Sequence, residues 1–142
     1  MTYKLEDSFG YLMAKATLLM NNVFQKKLNR LNITRSQAIT LAAVWETSGA
    51  TPTELAVIIG RDVPNVLRIL DKLEKKDLIY REDCKTDKRS YTVYLTDKGE
   101  VLREEIIPQA EQMAVEVLAG LKQEEIENMK AGFRKVIRNM EK

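Results

Sequence analysis

Two helix start signals stand close together in mid-chain, with a single glycine between them. Thr51 is a good N-cap, Pro52 takes the first helical position, and Glu54 follows three residues after the cap, a capping box with proline at N1. Leu55, Ala56, Ile58 and Ile59 supply an apolar face, and Gly60 ends the helix because glycine enters the left-handed region at little steric cost. Asp62 then caps a second helix, and Pro64 is tolerated in its first turn, where its missing N–H has no helical partner. Val66, Ile69, Leu70 and Leu73 form one stripe at helical spacing. A short helix, a tight turn and a second helix with a single buried stripe make a helix-turn-helix over about residues 51–75.

The opposite face of the second helix carries Pro64, Arg68, Asp71 and Lys75, flanked by Asn65 and Lys72. A helix with a buried back and a short polar front suits a groove, and the N-terminal half of a recognition helix is the part that enters the major groove of DNA. On that reading Arg68 donates two hydrogen bonds to guanine and Asn65 pairs with the adenine edge. Pro64 offers apolar contact to a thymine methyl, while Lys72 and Lys75 meet phosphates. The alternative is that Arg68 and Lys72 are ordinary solvated charges, and the segment that follows favours the groove.

That segment reads as a hairpin over about residues 78–95. Leu78, Ile79 and Tyr80 make a short apolar strand; Tyr91, Val93 and Leu95 alternate with Thr92 and Tyr94 as in a half-buried strand. Arg81 to Ser90 between them is polar and rich in turn formers. Lys85, Lys88 and Arg89 sit near its tip, where arginine can enter a narrow minor groove, and Asp87 can hold Arg89 by a local ion pair. Taken alone, this is equally a plain charged hairpin loop.

Three pieces of this region resemble the signature of MarR-type winged-helix transcription regulators: Leu73-Glu74-Lys75-Lys76-x-Leu78-Ile79, then Asp87-x-Arg89, then Leu95-Thr96-x-x-Gly99. Order and spacing match, and flanking helices extend the likeness over nearly the whole chain. Asp77 departs from it, standing where the family usually has glycine; aspartate tolerates the left-handed conformation better than most residues. The resemblance implies a mainly α fold with a small β-hairpin wing and long N- and C-terminal dimerisation helices. It also implies a homodimer acting as a repressor on a pseudo-palindromic double-stranded DNA operator, and small aromatic or phenolic effectors.

The flanking segments carry the apolar surface such an assembly needs. Leu5, Phe9, Leu12, Met13, Ala16, Leu19, Met20, Val23 and Phe24 recur every three or four residues and predict a helix from about residue 7 to 30. It is too long for a small winged core to cover. It is therefore a dimerisation arm, or part of an intramolecular bundle; the resemblance favours the arm. Thr34 and Gln37 form another capping box, and the helix from about Ser36 to Thr47 is expected to bury Ala38, Ile39, Leu41, Ala42, Val44 and Trp45. Arg35 and Ser36 at its start, with the free N–H groups there, suit a phosphate, and Thr53 joins them as a DNA contact. Thr96 caps a helix after the wing, with a kink expected at Pro108, and a last helix spans about Gln123 to Met140; together they make the C-terminal dimerisation region, about 97–141. An effector wedged between the dimer helices and the winged lobe would change the spacing of the recognition helices, and Phe9, Met13, Leu41 and Trp45 are the expected lining. Trp45 is a core residue, a ligand platform, or both.

The 142 residues fit one domain, 1–142, and can bury a real core. The net charge is only +2, and Arg61 to Lys98 holds ten basic against eight acidic residues, so DNA affinity must come from where charges point. A protein–protein adaptor on the same winged-helix fold is therefore the alternative function. An enzyme is not expected: without histidine there is no His-based triad and no HExxH metal site, and no glycine-rich phosphate loop appears. No cofactor or metal is implied. The single cysteine, Cys84, cannot form an internal disulfide, which fits a reducing cytoplasm; it is an incidental exposed thiol or a switch tuned by the cations near it. No signal peptide and no apolar run near the length of a membrane span is found, so no membrane partner is expected.

Overall fold

The computed structural model describes residues 2–84 and 90–141. Helix α1 (Phe9–Leu28) is followed by α2 (Arg35–Thr47), α3 (Pro52–Ile59), α4 (Val63–Lys75), strands β1 (Ile79–Asp83) and β2 (Tyr91–Leu95), then α5 (Asp97–Val117) and α6 (Gln123–Met140). Single 3-10 turns at Leu5–Asp7 and Asn29–Leu31 flank α1. The mainly α architecture with a two-stranded wing is thus the one the sequence implies.

Local chemistry sets the boundaries. The Thr34 hydroxyl accepts from the Gln37 N–H and the Gln37 side chain accepts from the Thr34 N–H, closing the capping box of α2. Thr51, Asp62 and Thr96 accept from the N–H groups of Glu54, Asn65 and Gly99. Gly60 ends α3 at φ 71°. Asp77 ends α4 at φ 60°, with the Leu78 N–H reaching back to the Leu73 carbonyl at 3.0 Å. Aspartate here adopts the left-handed turn that glycine would take without a steric penalty.

The C-terminal end of α1, helices α2, α3 and α4, the wing and the first half of α5 enclose the core. Leu28, Leu41, Leu55, Val66, Leu70, Leu73 and Val93 are fully buried, each large side chain stabilising by roughly 1.5–3 kcal/mol. The wing pairs antiparallel in the register Ile79↔Leu95 to Asp83↔Tyr91. Ala50, from the α2–α3 connection, adds a bridge to Val93, whose N–H donates to the Ala50 carbonyl at 2.9 Å. α1 packs along α5, while none of the residues of α6 is buried. Among the described residues no helix is long and apolar enough to cross a membrane.

Several sequence expectations need correction. β1 runs on through Arg81, Glu82 and Asp83, which were expected in the loop; the ladder to β2 recruits them whatever their polarity. Ile39 and Ile58 are exposed rather than buried. In α2 the buried set is instead Gln37, Ala38, Thr40, Leu41, Ala43 and Val44, because the Thr40 hydroxyl satisfies itself on the Ser36 carbonyl at 2.8 Å and can go inside. Pro108, by contrast, lies inside α5 as the sequence pattern placed it, and the helix continues to Val117.

Candidate nucleic-acid interface

Helix α4 turns one stripe inward and leaves the other free. Pro64, Arg68, Asp71, Lys72 and Lys75 are exposed and Asn65 is half-buried, so the expected reading residues share one open face. The Asp62 cap and Pro64 fix the start of that face, while Val66, Leu70 and Leu73 anchor its back. Arg68 donates through Nη2 to the Asn65 Oδ1. That bond uses one lone pair of the Asn65 carbonyl oxygen and leaves the second, with the side-chain NH2, for an adenine edge. Thr53 is exposed on α3. Lys85, Lys88 and Arg89, expected at the wing tip, and Asp87 lie outside the described residues.

The start of α2 differs from expectation. The Arg35 N–H donates to Gln25 Oε1 at 2.8 Å, and the Gln37 N–H is taken by Thr34, so these two N–H groups are committed internally rather than to a phosphate. Ser36 accepts from Arg61 Nη2 at 3.0 Å, tying the turn between α3 and α4 to α2. What this end of α2 offers an anion includes the Arg35 side chain, the Ser36 backbone N–H and the Arg61–Ser36 pair.

Behind the open face, two cations hold the frame. Lys76 donates to the Asn32 carbonyl at 2.7 Å and to Gln37 Oε1 at 3.0 Å, joining the end of α4 to the α1–α2 corner. Partial burial, and then the nearby charge of Lys72, lower its pKa below the usual lysine value. Arg81 reaches from β1 to α4, with Nη2 at 2.5 Å from Asp71 Oδ1 and Nε at 3.2 Å from Glu74 Oε2. The Nε contact is an ion pair without hydrogen-bond alignment, since Nε is buried with no partner. The guanidinium also lies 4.7 Å from the centroid of the Tyr91 ring. Burial opposes its charge, yet the hydrogen bond to Asp71 and the neighbouring anions prevail and hold its pKa above the ordinary value. Sequence reasoning placed Arg81 in a loop and missed this set. The ten-residue separation of Arg81 from Asp71 leaves no periodic signal.

The four residues expected to line one effector cavity do not share one. Phe9 and Met13 face Met129, Phe133 and Val136 across a cavity of about 410 Å³ between α1 and α6. Leu41 is fully buried in the core. Trp45 is half-buried, with the Arg103 guanidinium 5.3 Å from its ring centroid. The Trp45 Nε1 and Arg103 Nε groups are both buried donors with no hydrogen-bond partner among the described residues.

A family model described as "MarR family" matches residues 33–91, which run from the turn just before α2 through the first residue of β2. Among solved structures the chain is similar to the S. aureus MepR–DNA complex, with 30% identity and a TM-score of 0.85 over 93% of this chain and 98% of that one. It is similar also to a cysteine-to-serine mutant of E. coli MarR complexed with operator DNA, with 25% identity and a TM-score of 0.84 over 89% and 91% of the two chains. BpsR of Bordetella bronchiseptica, whose DNA binding is regulated by 6-hydroxynicotinic acid, shares the fold, with a TM-score of 0.89, 24% identity and coverage of 96% and 97%.

Proposed function

The chain belongs to the MarR family of winged-helix DNA-binding transcriptional regulators, and from that premise we propose that it acts as a homodimeric repressor on a pseudo-palindromic operator. The observation that carries this is the open face of α4: its polar residues stand together, solvent-facing, on a helix whose opposite stripe is locked into the core. Arg35, Ser36, Thr53, Pro64, Asn65, Arg68, Lys72 and Lys75 are the proposed DNA contacts, together with Lys85, Lys88 and Arg89. Twofold symmetry sets the two recognition helices roughly 34–36 Å apart, one turn of DNA.

A mobility-shift titration on the DNA upstream of the chain's own gene, repeated at several salt concentrations, tests the reading. Affinity falls steeply with salt if phosphates are neutralised. Absence of a salt-dependent complex on any candidate operator would favour the adaptor function. Within that assay Arg68→Ala costs about 1–3 kcal/mol and relaxes base preference at one position per half-site. Unchanged selectivity removes Arg68 from base reading.

The regulatory ligand we propose is a small aromatic acid or phenol received between α2 and α5. Trp45 Nε1 and Arg103 Nε support it, as two donors on α2 and α5 that lack an acceptor among the described residues, with the Arg103 guanidinium 5.3 Å from the Trp45 ring centroid. Titration of 6-hydroxynicotinic acid against operator-bound protein is expected to release the DNA, and Arg103→Ala to raise the concentration required at least tenfold. An equal response in both proteins places the effector elsewhere.

A further inference from the structure

We propose that Arg81 is a positioning residue that fixes the angle of the wing to the recognition helix α4, acting through Asp71 and Glu74 on that helix and Tyr91 on the return strand. Its consequence for DNA rests on the operator reading above; its geometry does not.

Asp71 poses the question. It stands on the exposed stripe of α4 among residues that face the groove, where a carboxylate repels phosphate and weakens binding unless it serves something else. Arg81 is what it serves. The arginine side chain is only a quarter exposed, and its fork spans both carboxylates, 2.5 Å to Asp71 and 3.2 Å to Glu74. A lysine at the same place would present a single point charge and could not span them with the same planar geometry. On its other side the guanidinium packs on the Tyr91 ring at 4.7 Å, an attraction strengthened where water is excluded. Arg81 sits opposite Val93 in the ladder, so one side chain ties β1, β2 and α4 together. Rotation of the hairpin about its attachment to the core is opposed by ion pairs on one side and by an aromatic ring on the other.

The lever is short and stiff. Beyond Arg81 the ladder continues to Asp83↔Tyr91, and the Cys84 N–H donates to the Ser90 carbonyl at 3.1 Å. At roughly 3.3 Å per residue Cys84 lies about 10 Å from the clamp, so a swing of about 10° shifts it by about 2 Å. A displacement of that size exceeds the tolerance of a hydrogen bond, whose donor–acceptor distances span only about 0.5 Å.

The sign of one substitution separates this role from simple charge. Asp71→Asn removes a negative charge from the DNA-facing helix. Electrostatics alone predicts tighter operator binding; the clamp predicts binding about tenfold weaker, with Arg81→Lys weakened similarly. Equal or tighter binding by Asp71→Asn overturns the role in DNA recognition. Because Cys84 is the only cysteine, a nitroxide attached there reports the wing directly, without DNA. The spectrum is expected to show a more mobile label in both variants than in the wild-type sequence. Unchanged spectra overturn the clamp itself, whether or not the protein binds an operator. A wild-type protein that binds no DNA while its variants loosen the wing overturns the operator reading and leaves the clamp standing.

Discussion

Gly99→Ala is expected to destabilise the winged lobe by about 3 kcal/mol or more, a large share of the 5–15 kcal/mol typical of a domain. A Cβ on Gly99 would lie 2.2 Å from the Leu78 carbonyl oxygen and 3.4 Å from the Leu95 Cβ. That carbonyl cannot step aside. It accepts from the Thr96 N–H at 3.1 Å, and the Leu78 N–H is tied to Leu73. The Thr96 hydroxyl holds the next carbonyl back, donating to Asp77 at 2.6 Å. The first turn of α5 therefore sits directly on the corner between α4 and β1, and only a residue without a side chain lets the two backbones meet. Gly60→Ala is the contrast: its φ is 71° but nothing lies within 4 Å, so it should cost only about 1–2 kcal/mol of backbone strain. Urea unfolding of both variants checks the pair. A smaller loss for Gly99→Ala than for Gly60→Ala would mean that the corner is not docked as described.

Phe133→Asp is expected to abolish the proposed dimer and, with it, tight operator binding, lowering affinity by about a thousandfold or more. Phe133 is 45% exposed in the isolated chain, and with Met129, Ile137 and Met140 it continues an apolar stripe along α6. Phe9 and Leu12 on α1 are similarly uncovered. A second copy laid against these faces would bury them; a carboxylate on that surface would have to be desolvated, at a cost of several kcal/mol per site. Because the side chain is not in the core of its own subunit, the winged lobe should survive. Sedimentation should show a monomer with unaltered urea unfolding of the core. A dimer that persists with full operator affinity would place the interface elsewhere.

What could be read from the sequence, and what could not, divides along the distance over which the chemistry acts. Helix limits were legible because caps are local: Thr34, Thr51, Asp62 and Thr96 each bond a backbone N–H three residues on. The inward stripe of α4 was legible because Val66, Ile69, Leu70 and Leu73 repeat at the helical period. Periodicity failed at α2 and α3, where it counts apolar residues without knowing the neighbours: Ile39 and Ile58 stay outside, while Thr40 and Gln37 go in because each finds a hydrogen bond. The charged end of β1 was missed because its partner strand, not its own propensity, makes it a strand. Contacts joining distant segments, such as Arg81 to Asp71 and Arg103 to Trp45, leave no mark on spacing at all.

Helix α6 has no buried residue of its own, and this bears on what stability means for the molecule. Eighteen residues of helix draw little support from propensity alone, since most helical stability in proteins comes from packing an amphipathic face against a partner. If their covering comes from another copy, ordering them is a second-order process governed by mass action, and the melting temperature becomes a function of how much protein is present. Dilution would then act as a denaturant for the C-terminal helix while leaving the winged lobe intact.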